Sequence, residues 1–229
     1  YRGCKTALVR QHAVTDATEN GCYRAALHAP EEVAKLVRII REQQGPIGGL
    51  VHLLPLKKFP PHQTIDLAEL KQRFQLEVKS LFYLTKHLEQ DLRQAPKKNA
   101  GSFLLAATAM GGDLGRTVSA TQMPFFPGQG GIQGLLKTVA LEWPGVRVKA
   151  VDLNLDEPAE TLAQHILTEI NVGDAAVEVG YQRDQRLVFA PTSAPLQKDG
   201  GHGLSIDSSW VILATGGARG ITAEVAGEL

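Results

Sequence analysis

Two ten-residue runs, IGGLVHLLPL (Ile47 to Leu56) and GSFLLAATAM (Gly101 to Met110), contain no charged side chain. Each is too short to span a membrane as a helix and too apolar to leave one face in water, so each reads as a strand covered on both faces. Around them, strand-like runs alternate with stretches whose apolar residues recur at helical spacing. That alternation predicts an α/β fold with a largely parallel sheet and helices on both faces.

The other elements follow the same pattern. TALVRQH (Thr6 to His12) and CYRAALH (Cys22 to His28) read as strands. Pro30 opens a helix in which Val33, Leu36, Val37 and Ile40 share one face, and Gly45-Pro46 ends it. A long helical region over 66–94 carries Leu67, Leu70, Phe74, Leu81, Leu84 and Leu88 roughly on one side, and its length predicts a bend. A Gly/Pro-rich loop then leads to a helix from Gly130 to Trp143 that turns Ile132, Leu135, Leu136 and Val139 inward. VRVKAVDLN (Val146 to Asn154) is a further strand, and Asp156 is a candidate cap for a helix near Pro158 that presents Leu162, Ile166 and Ile170. AVEVGYQ and QRLVFAP pair around Arg183-Asp184. Residues 193–209, rich in Gly, Ser and Asp, read as a linker between a first domain, 1–192, and the start of a second, 210–229.

Composition narrows the partners. Positive and negative side chains balance at 24 each, which gives no basic surface for nucleic acid, and no run of some 18 apolar residues suggests a membrane span. Cys4 and Cys22 are the only cysteines, and no Cys/His cluster has metal-ligand spacing, so neither a zinc site nor a disulfide framework is expected and a reducing cytoplasm is the default. His12, His28, His52, His62, His87, His165 and His202 fall on different elements and read as ordinary residues, His52 as a satisfied core residue. Gly111-Gly112-Asp113-Leu114-Gly115 and Gly128-Gln129-Gly130-Gly131 lack the surroundings of phosphate loops and read as flexible loops.

The last twenty residues, WVILATGGARGITAEVAGEL, are different. An apolar strand (Val211 to Ala214) runs into Thr215-Gly216-Gly217-Ala218-Arg219-Gly220 and then into a helix beginning near Ile221. Glycines let the backbone turn tightly and approach a pyrophosphate, and the free N–H groups of the helix start attract its charge. The alternative is an ordinary Gly-rich turn between strand and helix. The chain begins at Tyr1 and stops inside this motif, so a fragment of a longer polypeptide is expected.

The order of these segments resembles the ketoreductase region of modular type I polyketide synthases and related multienzyme fatty-acid or glycolipid synthases, within the short-chain dehydrogenase/reductase superfamily. GGLVHLLPL is similar to that family's core strand, GLLKTVALEWPGVRVKAVDLN to its helix with Glu-x-Pro followed by a strand ending in Asp-Leu, and VILATGGARGIT to the opening of its catalytic half. The resemblance implies a degenerate Rossmann-like structural subdomain followed by the first βα unit of a second, NADPH-binding Rossmann fold. It implies a parent activity that reduces a β-ketoacyl thioester, carried on acyl carrier protein, to the β-hydroxyacyl product. Implied partners are the remaining catalytic subdomain, the acyl carrier protein and neighbouring synthase domains. Thr215, Gly216, Gly217, Arg219, Gly220 and Ile221 are the implied cofactor contacts, with Arg219 facing a 2′-phosphate; Thr222 stands where many relatives have a third Gly.

An active reductase of this kind needs a Tyr and, four positions on, a Lys. Matched on Gly134-Leu135 and Ala140-x-Glu142, the Tyr place falls at Phe125 and the Lys place at Gln129; the family's Ser falls near Thr108 and its Asn near Glu77. No catalytic residue is therefore assigned. No GxxxG turn follows Thr6 to His12. Two other readings stay open: a catalytically dead reductase-like scaffold or interaction module, and a free-standing dehydrogenase that continues beyond Leu229.

Overall fold

The computed structural model describes residues 4–18, 21–58, 66–95, 101–116, 125–195, 206–216 and 219–228. Contacts divide the chain into two units, Tyr1–Ala190 and Pro191–Leu229.

In the first unit the two charge-free runs supply neighbouring strands. Elements run β1 (Leu8–Gln11), β2 (Asp16–Ala17), β3 (Cys22–Ala25), α1 (Pro30–Gln44), β4 (Gly49–His52), α2 (Leu67–Arg73), a π turn (Phe74–Lys79), α3 (Ser80–Gln94), β5 (Ser102–Thr108), a short 3-10 turn (Pro127–Gln129), α4 (Gly130–Glu142), β6 (Val146–Leu153), α5 (Ala159–Asn171), β7 (Glu178–Gln182) and β8 (Gln185–Val188). Among the described residues these strands form two sheets, β1-β3-β2 and β4-β5-β6-β7-β8. The larger is parallel from β4 to β7, with β8 added antiparallel.

Strand β5 shows why its sequence is apolar throughout. Leu104 and Ala106 enter a core shared with α1, α3 and α4, while Leu105 and Ala107 enter a second core with Ile166 of α5. Burying each such leucine contributes about 2 kcal/mol. IGGLVHLLPL, read as a strand covered on both faces, gives β4, which among the described residues has a ladder partner on one side only; Gly49, Leu50 and Val51 are half-buried. Apolar composition reports cover by helices and does not say on how many sides a strand is paired.

Helix α1 buries the expected Val33, Leu36, Val37 and Ile40, starts at Pro30 and ends at Gly45, whose φ of 97° suits glycine and whose N–H bonds the Arg41 carbonyl at 2.9 Å. Within 66–94, where a bend is expected, the helix is interrupted by the π turn. One extra residue per turn rotates what precedes it by roughly 100°, so Leu81, Leu84 and Leu88 are buried whereas Leu67, Leu70 and Phe74 are exposed. Asp66 caps α2 by accepting from the Glu69 N–H at 2.7 Å. Asp156 does not cap α5: its carboxylate pairs with Lys58 at 2.7 Å, and Pro158 stands at the cap position without a side-chain bond. The β7–β8 hairpin turns at Arg183, with φ 54°.

In the second unit, helix α6 spans Ile221–Glu228. Val211 to Ala214, expected as a strand, pairs with nothing there, and Val211 and Leu213 are 97% and 89% exposed. A strand exists only in a ladder, and the described part of this unit supplies no second strand. Of the expected linker, residues 196–205 lie outside the described residues. No helix among the described residues is long and apolar enough to cross a membrane.

Candidate functional site

At the carboxyl end of β5, Thr108 stands beside Asp152 of β6 in register and donates its hydroxyl to Asp152 Oδ1 at 2.8 Å. The same carboxylate accepts from the backbone N–H groups of Met110 (2.7 Å), Gly112 (2.8 Å) and Leu114 (2.9 Å). Burial pushes the Asp152 carboxyl up, and these four donors, which fill both oxygens, oppose it by holding the charged form. The Gly111–Gly115 segment, read as a flexible loop, is therefore pinned at Gly112 and Leu114, and at Met110 just before it. Gly112, at φ 81°, lies so close to β7 that a Cβ there would collide with the Tyr181 carbonyl oxygen.

Beside it the 3-10 turn brings in Gln129, which is 1% exposed. Gln129 accepts from the Ala109 N–H at 2.7 Å and donates to the Pro55 carbonyl at 3.1 Å and to Glu77 Oε2 at 3.2 Å. Glu77, on the π turn, takes Arg73 Nε on its other oxygen at 2.5 Å, and the Arg73 guanidinium lies 5.0 Å from the centre of the Phe126 ring. Burial raises the Glu77 carboxyl, against the hydrogen bond and charge of Arg73, the Gln129 amide and the charge of Lys57. Gly128-Gln129-Gly130-Gly131, also read as a loop, is this turn together with the first residues of α4.

The structure thus brings together three of the four positions aligned with a reductase's catalytic set. Glu77, Gln129 and the Thr108-Ala109 strand end share one buried hydrogen-bonded network. Phe125 is half-buried, its ring against Gly115. Phe cannot donate a proton, and neither the Gln129 amide nor the Thr108 hydroxyl titrates in the working range. What the arrangement does chemically is satisfy its own polar groups.

Sequence reasoning missed Arg73, Asp152 and a second buried network under the β7–β8 hairpin. Glu169 of α5, wholly buried, accepts from Tyr181 Oη and Arg186 Nε, both at 2.6 Å. Lys149 of β6 bonds Asp174 and the Ala176 carbonyl, and Arg186 also reaches Asp174, at 2.7 Å. Burial alone would raise Glu169, but Arg186 and Tyr181 outweigh it and hold the carboxyl low; burial and the Glu169 bond push the Tyr181 phenol up. The signal was present: a Lys inside the apolar strand VRVKAVDL needs a partner.

Of the histidines, His52 is buried with one nitrogen bonded, Nε2 to Ser80 Oγ at 2.9 Å, and its Nδ1 is without a partner, so it is only half satisfied. His165 stacks on Tyr181 at 4.0 Å, while His62 and His202 lie outside the described residues. No group of metal-holding side chains occurs among the described residues.

In the second unit Thr215, Gly216, Arg219, Gly220 and Ile221 are exposed; Gly217 lies outside the described residues. Gly216 (φ 75°) and Gly220 (φ 69°) adopt conformations that favour glycine, and the Gly220 carbonyl accepts from Ala223 N at 3.1 Å, starting α6.

No family profile and no curated protein matches the sequence. Solved structures do resemble it in fold. The adenylation, ketoreductase and pseudo Asub multidomain structure of a keto acid-selecting NRPS module superposes with a TM-score of 0.64 at 15% identity, over 79% of this chain and 14% of that one. The Pseudomonas aeruginosa RhlG/NADP active-site complex gives 0.51 at 15% identity, over 64% and 57%. The NADH-dependent reductase A1-R′ responsible for alginate metabolism gives 0.50 at 16% identity, over 65% and 66%. The chain thus spans less than two thirds of each of these structures, and what it shares with them is a Rossmann-like α/β fold with a mostly parallel sheet.

Proposed function

We propose that this chain is the structural part of a ketoreductase region in a multienzyme synthase, with 1–192 as a non-catalytic subdomain, 193–209 as linker and 210–229 as the opening of the NADPH-binding catalytic subdomain. The observation that carries this reading is the buried network of Arg73, Glu77 and Gln129 beside Thr108. Of the positions a short-chain reductase keeps for catalysis, Glu77 and Gln129 are here bonded to each other and Thr108 to Asp152, and Phe125 stands where the proton donor would be. The fold shared with a ketoreductase-containing NRPS module supports the multienzyme setting.

In the second unit, Gly216, Gly217 and Gly220, with Thr215 and Ile221, would hold the pyrophosphate of NADPH, and Arg219 would pair with the 2′-phosphate that distinguishes NADPH from NADH. The cofactor would supply the hydride, and the catalytic half the proton, for reducing the β-carbonyl of an acyl thioester presented by acyl carrier protein. In this reading the first unit contributes no proton.

The test uses the chain extended through its complete second Rossmann unit, assayed by NADPH oxidation with a β-ketoacyl thioester surrogate. Thr108→Val and Gln129→Leu leave turnover per folded molecule within about twofold, whereas Gly220→Val abolishes it. Loss of turnover in folded Thr108→Val or Gln129→Leu protein overturns the assignment of the first unit as structural.

A further inference from the structure

The β7–β8 hairpin turns through two residues, Arg183 and Asp184, between the opposed pair Gln182 and Gln185. Turns this tight bring the backbone to positive φ, where glycine or asparagine normally serves. Here the position at φ 54° is held by Arg183. A Cβ in the left-handed region costs stability, and such a cost persists where the side chain itself is needed. That side chain does nothing for the fold. Among the described residues Arg183 is bonded only through its backbone N–H, to Glu157 Oε1 at 2.9 Å, and its guanidinium is exposed. Asp184 is adjacent and of opposite charge, yet no ion pair joins the two.

Both residues instead line a cavity of about 530 Å³, together with Asn154, Gln182 and Gln185. Its size is that of small-molecule sites, about 300–1,000 Å³. It stands at the carboxyl ends of β6 and β7, the end of a parallel sheet where α/β folds receive ligands. Tyr181 and Arg186, the next pair of the ladder, face the buried Glu169, so alternation turns Gln182 and Gln185 to the other side. The walls are held in place. Glu157, which takes the Arg183 N–H, meets His165 on its second oxygen at 3.4 Å, and Asn154 Oδ1 accepts from the Asp156 N–H at 3.1 Å. We propose that this cavity binds a small zwitterion of the amino-acid or dipeptide type. Its carboxylate meets the planar fork of Arg183, and its ammonium meets Asp184. The carboxamides of Asn154, Gln182 and Gln185 supply donors and acceptors for its amide groups. A ligand of one sign would cover the opposite charge without pairing it. The inference does not depend on the ketoreductase reading and its test involves no cofactor.

Saturation-transfer NMR on the full-length protein tests the site with three compounds. They are the dipeptide alanylglutamine, its N-acetyl form, which keeps only the carboxylate, and its C-terminal amide, which keeps only the ammonium. The dipeptide binds with a dissociation constant of about a millimolar, and each singly charged form binds at least roughly tenfold more weakly. Arg183→Gly melts no lower than the native protein, because glycine suits φ 54°, and it weakens dipeptide binding at least roughly tenfold. Asp184→Asn weakens that binding to a similar extent. Absence of saturable dipeptide binding in the millimolar range overturns the proposal, as does equal binding of all three compounds or binding that survives Arg183→Gly. A lower melting temperature in Arg183→Gly assigns the guanidinium to the fold and overturns it as well.

Discussion

Ser80 donates its hydroxyl proton to the Leu76 carbonyl at 2.5 Å, so toward His52 it can only accept, which fixes the proton of that imidazole on Nε2. Nδ1 is left buried without a partner, and burial lowers the His52 pKa to about 4 from 6.5. Because the folded pKa lies below the unfolded one, the stability this group contributes is complete above pH 6.5 and is lost as pH falls toward 4. Between pH 7 and pH 4 the native chain should lose about 3 kcal/mol more than His52→Gln in denaturant titrations, the size of a shift of this extent. Equal losses would show that His52 is hydrated in the fold. At Glu77 the issue is a pair. Glu77→Leu removes the carboxylate to which buried Arg73 donates and should cost roughly 3–5 kcal/mol, while the double change Arg73→Met with Glu77→Leu costs less than the single one. A double variant as damaged as the sum of both singles would deny the coupling.

Among the elements, those with a strict period were legible and those shaped by tertiary demands were not. Helix α1 was readable because its four buried residues follow one helical stripe between a Pro and a Gly. The face of α2 was not, since the π turn shifts the phase of everything before it and nothing in LAELKQRFQLEVK signals the extra residue. Leu70→Gln should accordingly change stability by no more than about 0.5 kcal/mol, against about 2–5 kcal/mol for Leu81→Ala in α3. Comparable losses from both would place Leu70 in the core. The candidate site was legible as a set of positions, Glu77, Thr108, Phe125 and Gln129, but not as a network. Asp152, which gathers the loop from Met110 to Leu114, stood in the sequence as the ordinary end of a strand, and its four donors are mostly backbone groups without side-chain signature.

On the scale of the whole molecule, the two units carry different features. The first has the layered sheet and cores, with buried hydrogen bonds from Gln129 to Glu77 and from Thr108 to Asp152 near the carboxyl end of β5. The second has the glycine turn and helix start but leaves Val211 and Leu213 in water. The most direct measurement is a calorimetric titration of NADPH into the chain extended through its complete second Rossmann unit. The account predicts one saturable site per chain, lost in Gly220→Val and unchanged in Gln129→Leu; a second site, or binding that survives Gly220→Val, would contradict it.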